Sequence, residues 1–191
     1  MRNVIISLFS LAFIYLLWPY IAVFTLYVAL QTGDITGVKE RIDWSSFKKE
    51  LRVDLGNLVE VKLKESLNKK NMQLDFDSLT LSKQISEKIA TPEGLIYLFN
   101  KPNEFIEQIR QIFTNALPLE KINPPAAEKK SFELQGPNFP NLFKRINYAF
   151  FTGPDSFRLS FNAADSSFTM DWQLQGLFWK LIRLKIPIKN I

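Results

Sequence analysis

Residues 156–175 read SFRLSFNAADSSFTMDWQLQ, and their period decides the fold class. Phe157, Leu159 and Phe161 alternate with Arg158 and Ser160. Phe168, Met170, Trp172 and Leu174 alternate with Thr169, Asp171 and Gln173. Successive side chains of a strand point to opposite faces, so this alternation predicts two strands with one buried and one wet face. Further strands are expected before and after them, over Phe143 to Phe151 and Leu177 to Ile186. The breaks Gly153-Pro154-Asp155, Ala164-Asp165-Ser166 and Gln175-Gly176 are short and turn-like. Short connections favour antiparallel neighbours. The last fifty or so residues are therefore expected to form a meander of about four strands.

Upstream the period changes to that of a helix. Asp43 reads as the N-cap of a helix whose stripe is Trp44, Phe47, Leu51, Leu55 and Leu58. Gly56 and Asn57 weaken it midway, and the stripe shifts to Val59, Leu63 and Leu67, so a bend is expected there. Asn68 to Asn71 reads as a loop. Gly33 is a left-handed cap for the preceding helix, and Asp34 or Thr36 caps a short helix to about Ile42. Ser82 to Ala90 carries Ile85 and Ile89 four apart. Thr91-Pro92-Glu93 is a helix start, with a capping hydroxyl, a proline in the first turn and an acid near the helix dipole. After Pro102 a helix places Phe105, Ile106, Ile109, Ile112, Phe113 and Ala116 on one face, and Pro118 ends it. The stretch from Pro124 to Gly136 is an exposed connection between a helical half and a strand-rich half.

The opening of the chain is of another kind. No charged side chain lies between Arg2 and Asp34, and only Ser7, Ser10, Pro19 and Thr25 interrupt the apolar run from Val4 to Leu30. About 20 residues of helix cross the hydrocarbon core of a bilayer, so this run is long enough. A signal peptide needs small residues at the third and first positions before the cut. Cutting after Ala22 or Ala29 would put Tyr20 or Tyr27 at the third position, so an uncleaved anchor is expected. Trp18 and Tyr20 mark the membrane interface, where Trp and Tyr concentrate. Pro19 kinks a helix or begins a new one. Two boundaries stay open. Either Val4 to Trp18 lies in lipid and Tyr20 to Leu30 packs on the domain, or one kinked span runs to about Val23. In both, anchor and domain share a nearly continuous helix. The expected class is α+β, with an N-terminal transmembrane helix, a helical half and a C-terminal antiparallel meander. Residues 1–32 form the anchor and 33–191 a single soluble domain, helical over 33–117, connecting over 118–140 and sheet over 141–191. Arg2 lies before the span and Lys39 and Arg41 after it, which leaves the positive-inside rule near balance. A bacterial inner-membrane protein with a periplasmic domain is the expected form.

Composition removes many chemistries. The 191 residues contain no Cys and no His. Disulfides, acyl-cysteine anchors, thiolate zinc sites, Ser-His-Asp triads, H-E-x-x-H sites and His-ligated haem are all excluded. The 17 Phe residues imply a core built on aromatic packing. The net charge of +5 is mild and spread among acids, which suits a solvated surface or an anionic lipid surface.

Five short stretches carry a resemblance. They are Trp18-Pro19-Tyr20 after the apolar run, Ala29-Leu30 followed by Gly33-Asp34, Ile42-Asp43-Trp44, Thr91-Pro92-Glu93-Gly94-Leu95, and Gly176-Leu177-Phe178-Trp179-Lys180-Leu181. In their order the chain resembles a bacterial family known only as a domain of unknown function, whose members are small proteins with an N-terminal hydrophobic segment. The resemblance implies architecture and transfers no activity or catalytic residue. A looser likeness is to nuclear-transport-factor-two-like and cystatin-like α+β folds, where a curved sheet wraps a helix. Such folds often enclose a pocket, and fold likeness by itself is a weak warrant for function.

The remaining motifs are weak. Ser45-Ser46-Phe47-Lys48 holds S-x-x-K, Ser46 to Lys49 gives a second register, and Ser160-Phe161-Asn162 gives S-x-N. The K-T-G of a penicillin-binding acyl-transferase is absent. Asp75-Phe76-Asp77 could hold a cation but has no further acids beside it. The Lys and Arg residues from Lys62 to Lys70 are interspersed with glutamate and come with no nucleic-acid motif. Trp44, Trp172 and Trp179 could line an aromatic pocket or interface, the plainer alternative being core packing. The expected function is a non-enzymatic, membrane-anchored protein-binding or scaffold protein. Its partners would be the bilayer and a larger membrane complex, with no cofactor, metal or nucleic acid. The alternative is a hydrophobic small-molecule or lipid-binding module.

Overall fold

A computed structural model of the chain describes residues 2–69, 83, 85–87, 89–113, 146–163 and 166–185. Its sheet is the four-stranded meander: β1 (Ile146–Gly153), β2 (Ser156–Ala163), β3 (Ser166–Gln175) and β4 (Phe178–Lys185), each antiparallel to the next. Register follows the alternation in the sequence. Phe157 pairs with Phe151 and Trp172, and Trp172 pairs with Leu181. Cross-strand partners share a face, so these rings and Leu181 form one apolar surface. Arg158, Asp171 and Arg183 pair in the same way on the opposite face. A register shift between Ile146 and Tyr148 and another opposite Asp171 and Trp172 interrupt the ladders. The β3–β4 turn is Gly176-Leu177, with Gly176 at φ 63, a conformation costly for residues with a side chain. Leu177 therefore belongs to the turn rather than to β4, one residue short of the strand the alternation implied.

The apolar face is covered by helices. α1 runs unbroken from Arg2 to Thr32, through Pro19, and stops at Gly33, whose φ is 70. α2 (Ile35–Glu40) follows, then α3 (Trp44–Lys69), α4 (Pro92–Asn100) and α5 (Pro102–Phe113). Leu26, Ala29 and Leu30 of α1 join Phe47, Leu51 and Leu55 of α3, Leu95 of α4, and Phe157, Trp172 and Leu181 of the sheet in one buried cluster. Ile85 and Ile89 belong to the same cluster.

Three local expectations need adjustment. The short helix ends at Glu40, not Ile42, because the backbone at Arg41–Asp43 pairs with β4: Leu181 N–H donates to the Arg41 carbonyl and Asp43 N–H to the Leu181 carbonyl, each at 3.0 Å. This parallel bridge at Ile42 lies along the β4 edge. Asp34 occupies the N-cap position of α2, yet its side chain makes no capping bond. α3 continues through Gly56 and Asn57. A glycine costs a helix interior only ~1 kcal/mol, less than burial of Phe47, Leu51 and Leu55 contributes. Asn68 and Lys69, read as loop, are its last residues. Two signals held as expected. Asp43 accepts from the amides of Ser45 and Ser46 at 3.1 and 3.3 Å. The Thr91 hydroxyl accepts from Gly94 N–H at 3.0 Å. The Asp75–Asp77 pair, the 118–140 connection and Phe143 to Arg145 lie outside the described residues.

Candidate functional site

At the junction between α1 and the sheet an exposed apolar helix gives way to the buried core. Every residue from Arg2 to Trp18 is exposed, and burial begins at Pro19 and becomes continuous near Leu26. An apolar helix face left open in water is costly, and a run of this length marks an interaction surface. α1 is long and apolar enough to cross a membrane, or to act as a signal sequence.

Aromatic contacts fix the junction. Tyr15 stacks on Phe151 with ring centroids 5.7 Å apart. Tyr20 meets Phe157 edge-on at 5.0 Å, and its hydroxyl donates to the Ala149 carbonyl at 3.2 Å. Phe151 and Phe157 touch at 5.5 Å, and both reach Trp179, at 5.8 and 6.4 Å. Edge-to-face and offset geometries of this kind add ~0.5–1.5 kcal/mol per pair beyond area burial. The ladder runs from the exposed half of α1 into the middle of the sheet.

The five residues singled out in the sequence separate into two groups. Trp172 and Trp179 are 1% and 3% exposed and belong to the core. Among the described residues neither indole N–H has a hydrogen-bond partner. A buried unpaired donor costs ~1–3 kcal/mol, so packing volume rather than polarity holds these rings in place. Trp44 is half-buried, lies edge-on to Phe47 at 5.9 Å, and donates its indole N–H to the Lys39 carbonyl at 3.0 Å. Trp18 is exposed on the open part of α1. Tyr20 is partly exposed but is tied to β1 as described. Sequence reasoning missed Tyr15 and Phe151, because a ring contact between residues so far apart in the chain has no local signature. It also missed Leu177 and Phe178, which stand exposed at the β3–β4 turn; apolar residues where turn chemistry prefers Asn, Asp or Gly were the available signal.

The wet face of the sheet carries polar networks, with the exposed rings of Tyr148 and Phe150 opposite Ser160 and Arg158. Arg158 Nε donates to Asp171 Oδ1 at 2.6 Å. Arg183 forks onto Asp54 of α3, with Glu50 at 3.6 Å. The hydrogen bond that Arg158 donates to Asp171, and then the charge of Asp171, raise the Arg158 pKa; the bond that Arg183 donates to Asp54 does the same for Arg183 against opposing burial. Asn147 and Asn162 exchange amide hydrogen bonds at 2.8 and 2.9 Å, and Ser160 and Ser167 pair beside them at 3.1 Å. Burial pushes the Asp43 carboxyl up, and hydrogen bonds from Gln175, Ser46 and the amides of Ser46 and Ser45 outweigh it, leaving the pKa below the ordinary aspartate value. Burial and the neighbouring Glu104 hold the Tyr97 hydroxyl above its ordinary value.

These bonds account for the S-x-x-K stretch. The Ser46 hydroxyl donates to Asp43 at 2.7 Å, while Lys48 and Lys49 stand in solvent. Ser160 is buried against Ser167. Among the described residues no three His, Cys, Asp or Glu side chains are grouped to hold a metal ion. Residues 8–98 match a family described as "Protein of unknown function (DUF2939)". Four of the five stretches that carry the resemblance fall inside this match, and Gly176 to Leu181 lies beyond it. No curated protein and no solved structure matches the chain.

Proposed function

We propose that this chain is a non-enzymatic, single-pass membrane protein whose α+β domain binds a partner protein beside the bilayer, as a scaffold or accessory subunit of a larger membrane complex. One observation carries the reading. α1 is exposed over Arg2 to Trp18 and buried in the domain core at Leu26, Ala29 and Leu30, with no linker between. A helix shared in this way holds the domain at a fixed height and orientation, which suits a fixed neighbour better than a diffusing substrate. The reading takes the helix as retained, in a bacterial inner membrane, with Arg2 at the cytoplasmic face and the domain in the periplasm.

The non-enzymatic part rests on the absence of His and Cys from the sequence and on the engagement of Ser46 in a helix cap. The second reading, a lipid or small-molecule carrier with an aromatic pocket, has less support. It needs Trp172 and Trp179 to face a ligand, and both rings are packed among core side chains.

The test is extraction in mild detergent after expression at native level. The expected result is a chain that stays with membranes through an alkaline wash and elutes in a stable complex well above its 22.2 kDa. A clean monomer would sink the scaffold reading. A lipid retained in native mass spectrometry would favour the carrier.

A further inference from the structure

The geometry points to a second membrane contact: we infer that the β3–β4 turn, Leu177 and Phe178, sits in the bilayer interface beside α1. The inference rests on the membrane-anchor reading above.

Direction comes first. Along α1 from Tyr20 to Tyr15, the contact on β1 moves from Ala149 to Phe151, toward the β1–β2 turn. In a meander the β3–β4 turn lies at that same end of the sheet. The open N-terminal part of α1 therefore leaves past the two turns.

Length comes second. The nearest charge on α1 is Arg2, which belongs at the far interface. Asn3 to Ile14, the part of the helix above the Tyr15–Phe151 stack, is about 12 residues, or ~18 Å of helix. The hydrocarbon core is about 30 Å thick. Arginine can reach several ångströms along the membrane normal, but the helix still falls short unless its span extends to Tyr15 and beyond. The turn end of the sheet is then drawn into the interfacial layer.

Chemistry comes third. Leu177 and Phe178 are 76% and 67% exposed. The turn needs its glycine, and nothing in its geometry needs these two side chains. Trp179, the next residue of β4, turns inward to Phe151, which carries Tyr15, while Phe178 points to the other face; the exposed pair therefore tips the end of the sheet past which the open part of α1 leaves. The exposed carboxylate of Asp155 in the β1–β2 turn sets the depth: it keeps that end at the headgroups and out of the hydrocarbon centre.

The test uses the full chain in vesicles of phosphatidylcholine and phosphatidylglycerol at three to one. The chain has no cysteine, so Leu177→Cys, Leu11→Cys and Ser45→Cys each give one labelling site for an environment-sensitive fluorophore. Quenching is read separately with nitroxide lipids and aqueous iodide. The expected result is quenching by lipid and protection from iodide at positions 11 and 177, and the reverse at 45. Lipid quenching at 11 with iodide access at 177 overturns the inference, leaves the anchor standing, and places the turn in water. Iodide access at both overturns the anchor reading as well. In parallel, Leu177→Asp with Phe178→Ser should lose the lipid quenching of a label at position 175 while the protein remains membrane-bound; unchanged quenching would count against the inference.

Discussion

At the scale of single residues, two positions carry more than their size suggests. Asp43 caps α3 through two amides and the Ser46 hydroxyl, and also accepts from Gln175 at 2.9 Å. Asp43→Ala should cost ~0.5–2 kcal/mol, and Asp43→Asn much less, because asparagine caps nearly as well. The pH dependence follows from the lowered native pKa. The carboxylate binds its proton more weakly in the folded chain, so its contribution is complete above the unfolded pKa of ~4 and is lost as pH falls through the native value. Thermal unfolding in detergent, scanned from pH 6 to pH 2, should show this acid limb in the wild type, and Asp43→Asn should flatten part of it. Gly94 sits in the first turn of α4, where a Cβ would collide with the Ile89 carbonyl. The obstacle is backbone and cannot swing aside. Gly94→Ala should therefore destabilise by ~1–3 kcal/mol by the same assay, despite the usual preference of helices for alanine.

At the scale of elements, the sheet was far more legible than what holds it to the helices. Period-two alternation from Phe157 to Leu174 determined both strands and their buried face, because side-chain direction in a strand is a local property. The caps at Asp43 and Thr91 were legible for the same reason. The bridge at Ile42 and the stack of Tyr15 on Phe151 were not, since each joins distant segments and leaves no trace in spacing. Trp172 and Trp179 show the same limit: a core indole and a pocket indole have one sequence signature. Phe157 is the element-level test. It touches Tyr20, Phe151 and Trp179, so Phe157→Ala should cost ~3–5 kcal/mol and loosen α1 from the sheet. Arg183 joins β4 to α3. Arg183→Ala leaves Asp54 without its cation, and a loss of ~1–3 kcal/mol in denaturant titration is expected, between the exposed and buried limits for ion pairs.

At the scale of the whole molecule, the two halves of α1 predict opposite outcomes for truncation. Deleting residues 2–14 removes only exposed side chains and keeps Tyr15, Pro19 and Tyr20. That protein should keep the wild-type near-UV circular dichroism spectrum, lose only the far-UV signal of the deleted helical turns, and move to the aqueous fraction. Deleting residues 2–31 removes Leu26, Ala29 and Leu30 from the core. It should fail to give a cooperative thermal transition, since each lost leucine alone is worth ~2–5 kcal/mol. A cooperative transition in both truncations would show that helix and domain are independent bodies.

On the membrane-anchor reading proposed above, the single rod would also make bilayer thickness a mechanical input. A helix in lipid tilts to match its surroundings, ~20° on average and more where the membrane is thin. Here the rod is stapled to the sheet by aromatic rings, so in a bilayer the domain would swing with it like the head of a lever. Its outer surface would sweep across the membrane plane as lipid composition changes, and a neighbour reading that surface would be reading the membrane.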